Sequence, residues 1–71
     1  MSVVKVIEVL AQSDKSWEDA AQIAVKTAAK TVKDIRSIWI SNFEAQVENG
    51  KIVRYRVNAK LSFAIKGTEK L

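Results

Sequence analysis

Glu48-Asn49-Gly50-Lys51-Ile52-Val53-Arg54-Tyr55-Arg56-Val57-Asn58-Ala59-Lys60-Leu61-Ser62-Phe63-Ala64-Ile65 is the stretch whose reading decides the fold. Val53, Tyr55, Val57, Ala59, Leu61, Phe63 and Ile65 fall on one parity, and Arg54, Arg56, Asn58, Lys60 and Ser62 on the other. Alternation of this length predicts a strand from Ile52 to about Ile65, with one face on a core and one toward water. Asn49-Gly50 stands just before it, and both residues accept the positive φ of a two-residue hairpin turn. The partner strand must therefore end near Glu48. Arg36 to Glu48 supplies it, with Ile38, Trp39, Ile40 and Phe43 interleaved so that both faces are apolar near its start. Simple alternation puts Ile38 and Ile40 on one face, Trp39 and Phe43 on the other.

Upstream of the hairpin, Trp17 to about Val32 reads as a helix. Trp17, Ala20, Ala21, Ala24, Ala28, Val32 and Ile35 recur at helical spacing. The stripe is mostly Ala, which lets a helix lie close on a sheet. Ser16 is placed to cap it, with Asp19 at the third helical position in a capping-box-like pair, and Ser13 is a rival cap. Glu18 and Asp19 fall in the first turn, where the helix dipole favours anions, and Lys26, Lys30 and Lys33 fall toward the end. Before the helix, Val3 to Leu10 is rich in β-branched residues and reads as a strand. It is apolar on both parities: Val4, Val6 and Leu10 on one, Val3, Ile7 and Val9 on the other.

The predicted fold class is therefore α+β, in the order β-α-β-β, over a single domain spanning residues 1–71. Lys66 to Leu71 reads as a polar tail. One helix covers one face of a sheet. Apolar residues remain for the other face, so the sequence predicts self-association.

Composition bounds the chemistry. The chain has 71 residues, 48% of them apolar, with 12 Lys and Arg against 8 Asp and Glu and a formal net charge of +4. It has no His, Cys or Pro. Disulfides, thiol nucleophiles, zinc clusters and a Ser-His-Asp triad are excluded. Ca²⁺ needs only oxygen ligands and stays open. So short a chain usually needs a staple, which leaves oligomerisation or a very well-packed core. No stretch approaches the roughly 20 apolar residues that span a bilayer. Met1-Ser2-Val3-Val4-Lys5 is too short and interrupted for a signal peptide, so a cytoplasmic protein is expected.

Several strings, in this order, resemble the dodecin family. They are Lys5-Val6-Ile7-Glu8-Val9, Ser16-Trp17-Glu18-Asp19-Ala20, Val32-Lys33-Asp34-Ile35-Arg36, Glu48-Asn49-Gly50-Lys51, Tyr55-Arg56-Val57 and Leu61-Ser62-Phe63. The resemblance covers nearly the whole chain. It implies a three-stranded antiparallel sheet wrapped around one helix, and a hollow homododecamer. It also implies a binding and storage protein, not an enzyme, holding flavin (riboflavin or FMN) in stacked pairs between Trp side chains. Some bacterial members of the family carry coenzyme A.

The resemblance also picks out site residues. The position of the family's flavin-stacking Trp is occupied here by Ser37, while Trp39 stands two residues on, on the same strand face and about 7 Å away. Arg56 stands where flavin-binding members carry a Gln that hydrogen-bonds the ring edge, and Arg offers donors only. Asn42 and Gln46 align with acidic positions lining the family's pocket. Such changes resemble a branch of the family in which flavin binding is absent and Ca²⁺ binding has been proposed.

Three functions follow. The first is flavin sequestration around Trp39, Ser37, Arg56, Asn42 and Gln46. The second keeps the shell and changes the cargo to Ca²⁺, with Glu44 and Glu48 as candidate donors, or to coenzyme A or another anion. Arg54, Arg56 and Lys60 form a basic row that suits an anion, or salt bridges between subunits with Glu44 and Glu48. The third is a nucleic-acid-binding module. It lacks aromatics on the basic face: Tyr55 points to the opposite side.

Overall fold

In the computed structural model, which describes residues 3–65, the chain forms β1 (Val4–Ser13), α1 (Trp17–Ala28), β2 (Ile35–Glu48) and β3 (Lys51–Ala64). Asn49 and Gly50 take φ of 52° and 77°, the left-handed pair that the two-residue turn between β2 and β3 demands. The sheet is three-stranded and antiparallel in the order β1-β3-β2, so the cleanly alternating strand lies in the middle. The polar tail expected from Lys66 lies outside the described residues. No helix among the described residues is long and apolar enough to cross a membrane.

Two element boundaries differ from the sequence expectation. β1 continues past Leu10, because Ala11, Gln12 and Ser13 pair with Val57, Arg56 and Tyr55. Those residues have little strand preference of their own, and the partner strand supplies the reason. α1 stops at Ala28, short of Val32. The β-branched Thr31 and Val32 favour the helix poorly. The chain tightens instead, with Lys30 N–H donating to the Thr27 carbonyl and Thr31 N–H to the Ala28 carbonyl. Asp34 then takes φ of 62° and turns the chain into β2.

The start of α1 follows the capping reading and adds to it. Asp19 N–H donates to Ser16 Oγ at 2.9 Å. The Asp19 carboxylate, however, accepts the Ser13 hydroxyl at 2.6 Å instead of reaching back to Ser16, and Lys15 N–H donates to Ser13 Oγ. Ser13 is thus no cap but the anchor of the capping loop, and it is buried with its hydrogen bonds made. Ser16→Ala is expected to cost about 1 kcal/mol, as a lost N-cap does, read as a lower midpoint in urea denaturation with unchanged slope.

Ala20 and Ala24 are buried under α1, and Val57, Ala59 and Leu61 of β3 are fully buried. Val9, Trp17, Ile38 and Ile40 pack around this core. Small side chains on the helix let it sit close over the central strand.

A bulge at Ser41 sets the faces of β2. Ile40 opposes Ala59, but Asn42 opposes Asn58, so Ser41 is the extra residue. Its hydroxyl donates to the Asn58 carbonyl at 2.8 Å. The bulge reverses the parity of everything beyond it. Ile38 and Ile40 opposite Leu61 and Ala59, and Phe43 and Ala45 opposite Val57 and Tyr55, all come to the helix side. Trp39 stays on the open side. Trp39 and Phe43 are therefore on opposite faces, contrary to simple alternation.

Beyond Tyr55 the hairpin runs on without β1, and the molecule measures 55 × 20 × 13 Å. Val47, Ile52 and Val53 on this arm are exposed. At its root, Trp17 meets Tyr55 and Phe43 edge-on, at 4.8 Å and 6.0 Å between ring centres. Trp17 Nε1 donates to the Glu44 carbonyl at 2.8 Å, so this Trp closes the core edge.

Candidate functional site

The open face of the sheet carries every binding residue picked out from the sequence. Its ladder reads across the strands as Val6–Ser62–Ser37, Glu8–Lys60–Trp39, Leu10–Asn58–Asn42 and Gln12–Arg56–Glu44, followed by Arg54–Gln46 on the arm. Strand alternation on β1 and β3, and the Ser41 bulge on β2, put these side chains on one side. No helix covers them, and Val4, Val6, Leu10 and Trp39 are 51%, 54%, 58% and 65% exposed. That is the apolar surface from which self-association was expected.

One shallow open cavity of about 470 Å³ lies on this face, lined by Val6, Ser37, Trp39, Lys60 and Ser62. The Lys60 ammonium stands 5.4 Å from the Trp39 ring centre, within cation–π range. The Ser37 and Ser62 hydroxyls are 2.6 Å apart, one donating to the other. The floor is thus apolar and aromatic, with one cation at its side.

Asn42, Gln46 and Arg56 share the face but not this cavity. Lys60 and Arg56 are four residues apart on β3, roughly 13 Å along the strand. Arg56 donates from Nε and Nη2 to Gln12 Oε1 at 3.2 and 2.8 Å, and Arg54 donates from Nη1 to Gln46 Oε1 at 3.1 Å. Asn42 Oδ1 accepts from Ser41 Oγ. Arg56 stands across from Glu44 in the ladder, yet its guanidinium turns to Gln12. Both Arg residues are held by neutral amides, so their charge is positioned without being neutralised.

Sequence reading put Ser62 on the same strand face as Arg56 and Lys60 but did not single out Val6, Ser62 or Gln12 as site residues. Val6 shared a parity with Val4 and Leu10, but only the register shows which residues face Trp39. Gln12 lay beyond the expected end of β1.

The carboxylates do not form a centre within one chain. Glu44 and Glu48 lie on the same side of β2 but four residues apart, about 13 Å, whereas Ca²⁺ ligands sit about 2.3–2.6 Å from the ion. Among the described residues no three acidic side chains come together. Of the three lysines expected toward the helix end, only Lys26 lies on the helix, since α1 ends before Lys30 and Lys33.

A second cavity, about 490 Å³, opens between α1 and β1 along Ile7, Val9, Ala11, Ile23 and Ala24. Among the described residues no charged side chain lines it. It is a gap left at the core edge by small helix residues, and it offers a ligand no charge to read.

The dodecin family model matches residues 3–66, nearly the entire chain. The chain belongs to the dodecin family. It is 36% identical over 66 residues to the calcium dodecin of Mycobacterium tuberculosis, covering 93% of each chain. Against the solved structure of that calcium dodecin, described as calcium-chelating with a novel calcium-binding site, the TM-score is 0.78 at 39% identity, over 93% of this chain and 94% of the other. The dodecin of Streptomyces coelicolor superposes with a TM-score of 0.88 at 24% identity, over 94% and 96%. The dodecin fold and the β-α-β-β order thus agree with the sequence reading. What this member holds turns on its own side chains.

Proposed function

We propose that the chain is one wall unit of a hollow homododecamer that binds and stores a flavin, riboflavin or FMN, by stacking on Trp39, and that it is not an enzyme. The observation that carries this reading is Trp39 itself. Its ring is 65% exposed on the face the helix leaves open, at the rim of a cavity with an apolar floor. A large exposed ring in a small protein gains by being covered, and ring stacking adds about 0.5–1.5 kcal/mol beyond area burial. The exposed Val4, Val6 and Leu10 beside it support burial of this face between copies. A sequence without His or Cys offers no nucleophile paired with an imidazole base.

Ca²⁺ is the second reading, favoured by the similarity to a calcium dodecin. Glu44 and Glu48 would then have to converge from different copies. Coenzyme A or another anion has support in the two Arg residues that neutral amides hold in place.

The test is a titration of the assembled protein into riboflavin and FMN, reading flavin fluorescence. The wild type should quench it, and Trp39→Ala should weaken binding by about tenfold or more, ~1.4 kcal/mol. Absence of quenching at micromolar protein, with a melting temperature that rises in CaCl₂ and falls back with chelator, would move the function to Ca²⁺.

A further inference from the structure

We infer that Lys60 makes the Trp39 site selective for an aromatic ring system that carries its own anionic group, and disfavours the neutral ring. The inference rests on stacking at Trp39. It adds the charge class of the ligand and the residue that reads it.

The starting observation is that the Trp39 ring already has a partner. The Lys60 ammonium stands 5.4 Å from its centre. Lys60 lies on the central strand between Glu8 on β1 and Trp39 on β2, and its ammonium leans toward Trp39. A ligand ring laid on Trp39 competes with that cation for the same π surface. A cation–π contact at an exposed site is worth a factor of about two to five in binding, and a neutral ring must displace it without return. A ring bearing a phosphate restores what it removes: its plane takes the Trp39 face, and its phosphate accepts a charge-assisted hydrogen bond from the displaced ammonium.

The rest of the cavity leaves Lys60 alone in this role. Ser37 and Ser62 hydrogen-bond to each other and carry no charge. Val6 is apolar. Arg56 lies roughly 13 Å along the strand and is turned to Gln12. Among the described residues, Lys60 is the one charged side chain lining the cavity. The same side chain therefore opposes a neutral ligand and favours a charged one.

The experiment compares riboflavin with FMN, which share the ring and differ by the phosphate, on the wild-type assembly and on Lys60→Met and Lys60→Arg. Met keeps the aliphatic stem and volume, and light scattering checks that each variant assembles as the wild type does. Lys60→Met should bind riboflavin about two- to fivefold more tightly, because the competitor is gone. The same variant should bind FMN more weakly, so the two affinities move in opposite directions. Lys60→Arg should retain the FMN preference. Raising salt should erode that preference in the wild type and leave riboflavin binding nearly unchanged, since an exposed ion pair is screened. A Lys60→Met protein with an unaltered ratio of FMN to riboflavin affinity overturns the inference and leaves stacking at Trp39 standing. Failure of either flavin to bind any of the three proteins overturns the stacking reading and this inference together.

Discussion

Deletion of Ser41 and Asn42 together is expected to abolish the cooperative thermal transition of the protein, followed by circular dichroism. The tight Asn49-Gly50 turn pins the hairpin at Glu48 opposite Lys51, so Phe43 to Glu48 keep their partners. The shift therefore falls on the other half of β2. Ile40 would move opposite Asn58 and Ile38 opposite Lys60, out to the open face, while Trp39 would be driven in against Ala59. Each isoleucine loses part of the roughly 1.5–3 kcal/mol that full burial contributes, and forcing a larger ring into the core costs about 1–3 kcal/mol more. The sum approaches the whole stability of a small domain, about 5–15 kcal/mol at most. Deletion of Ser41 alone is the control, because it takes out only the extra residue and leaves Ile40 opposite Ala59; it and Ser41→Ala each lose the hydroxyl's bonds to the Asn58 carbonyl and Asn42 Oδ1, for about 1 kcal/mol. A double-deletion variant that melts cooperatively within a few degrees of the wild type would show that this register does not set the faces.

Leu61→Ala should be the most damaging conservative truncation, at about 2–5 kcal/mol. Leu61 is the largest fully buried side chain with Val57, and it lies in the middle strand with Ile7 on one side and Ile38 on the other. Hydrogen-bonded strands flank it on both sides, so the sheet has little freedom to collapse into the space. Urea denaturation at one fixed protein concentration reads the effect, because any assembly makes apparent stability concentration-dependent. A loss below about 1 kcal/mol would mean that the cavity is refilled by neighbouring chains or side chains.

Legibility in the sequence followed the range of the interactions. β3, the Asn49-Gly50 turn and the Ser16 cap depend on residues close in the chain, and each was readable. The Ser41 bulge was not. A bulge exists only relative to a partner register, and nothing about Ser41 itself marks it. The end of β1 failed for the same reason: Ala11, Gln12 and Ser13 are strand because Val57, Arg56 and Tyr55 hold them there. At the candidate site, parity placed Ser37 with Trp39. It could not supply Lys60 and Val6 as cavity neighbours, which needed the order β1-β3-β2. Glu44 and Glu48 were read as oxygen donors near the hairpin, and an extended strand holds them about 13 Å apart.

The strand order also bears on the newly made chain. With β3 in the middle, both β1 and β2 are left as edges, and the arm that carries Val47, Ile52 and Val53 extends past the helix. Unpaired edges beside exposed apolar side chains are templates for indiscriminate pairing. A freshly synthesised copy is therefore safest when others are already present, and slow, sparse production exposes it longest. Specific assembly and indiscriminate pairing both quicken with concentration, so for this protein the outcome is set by how soon a specific partner covers these edges.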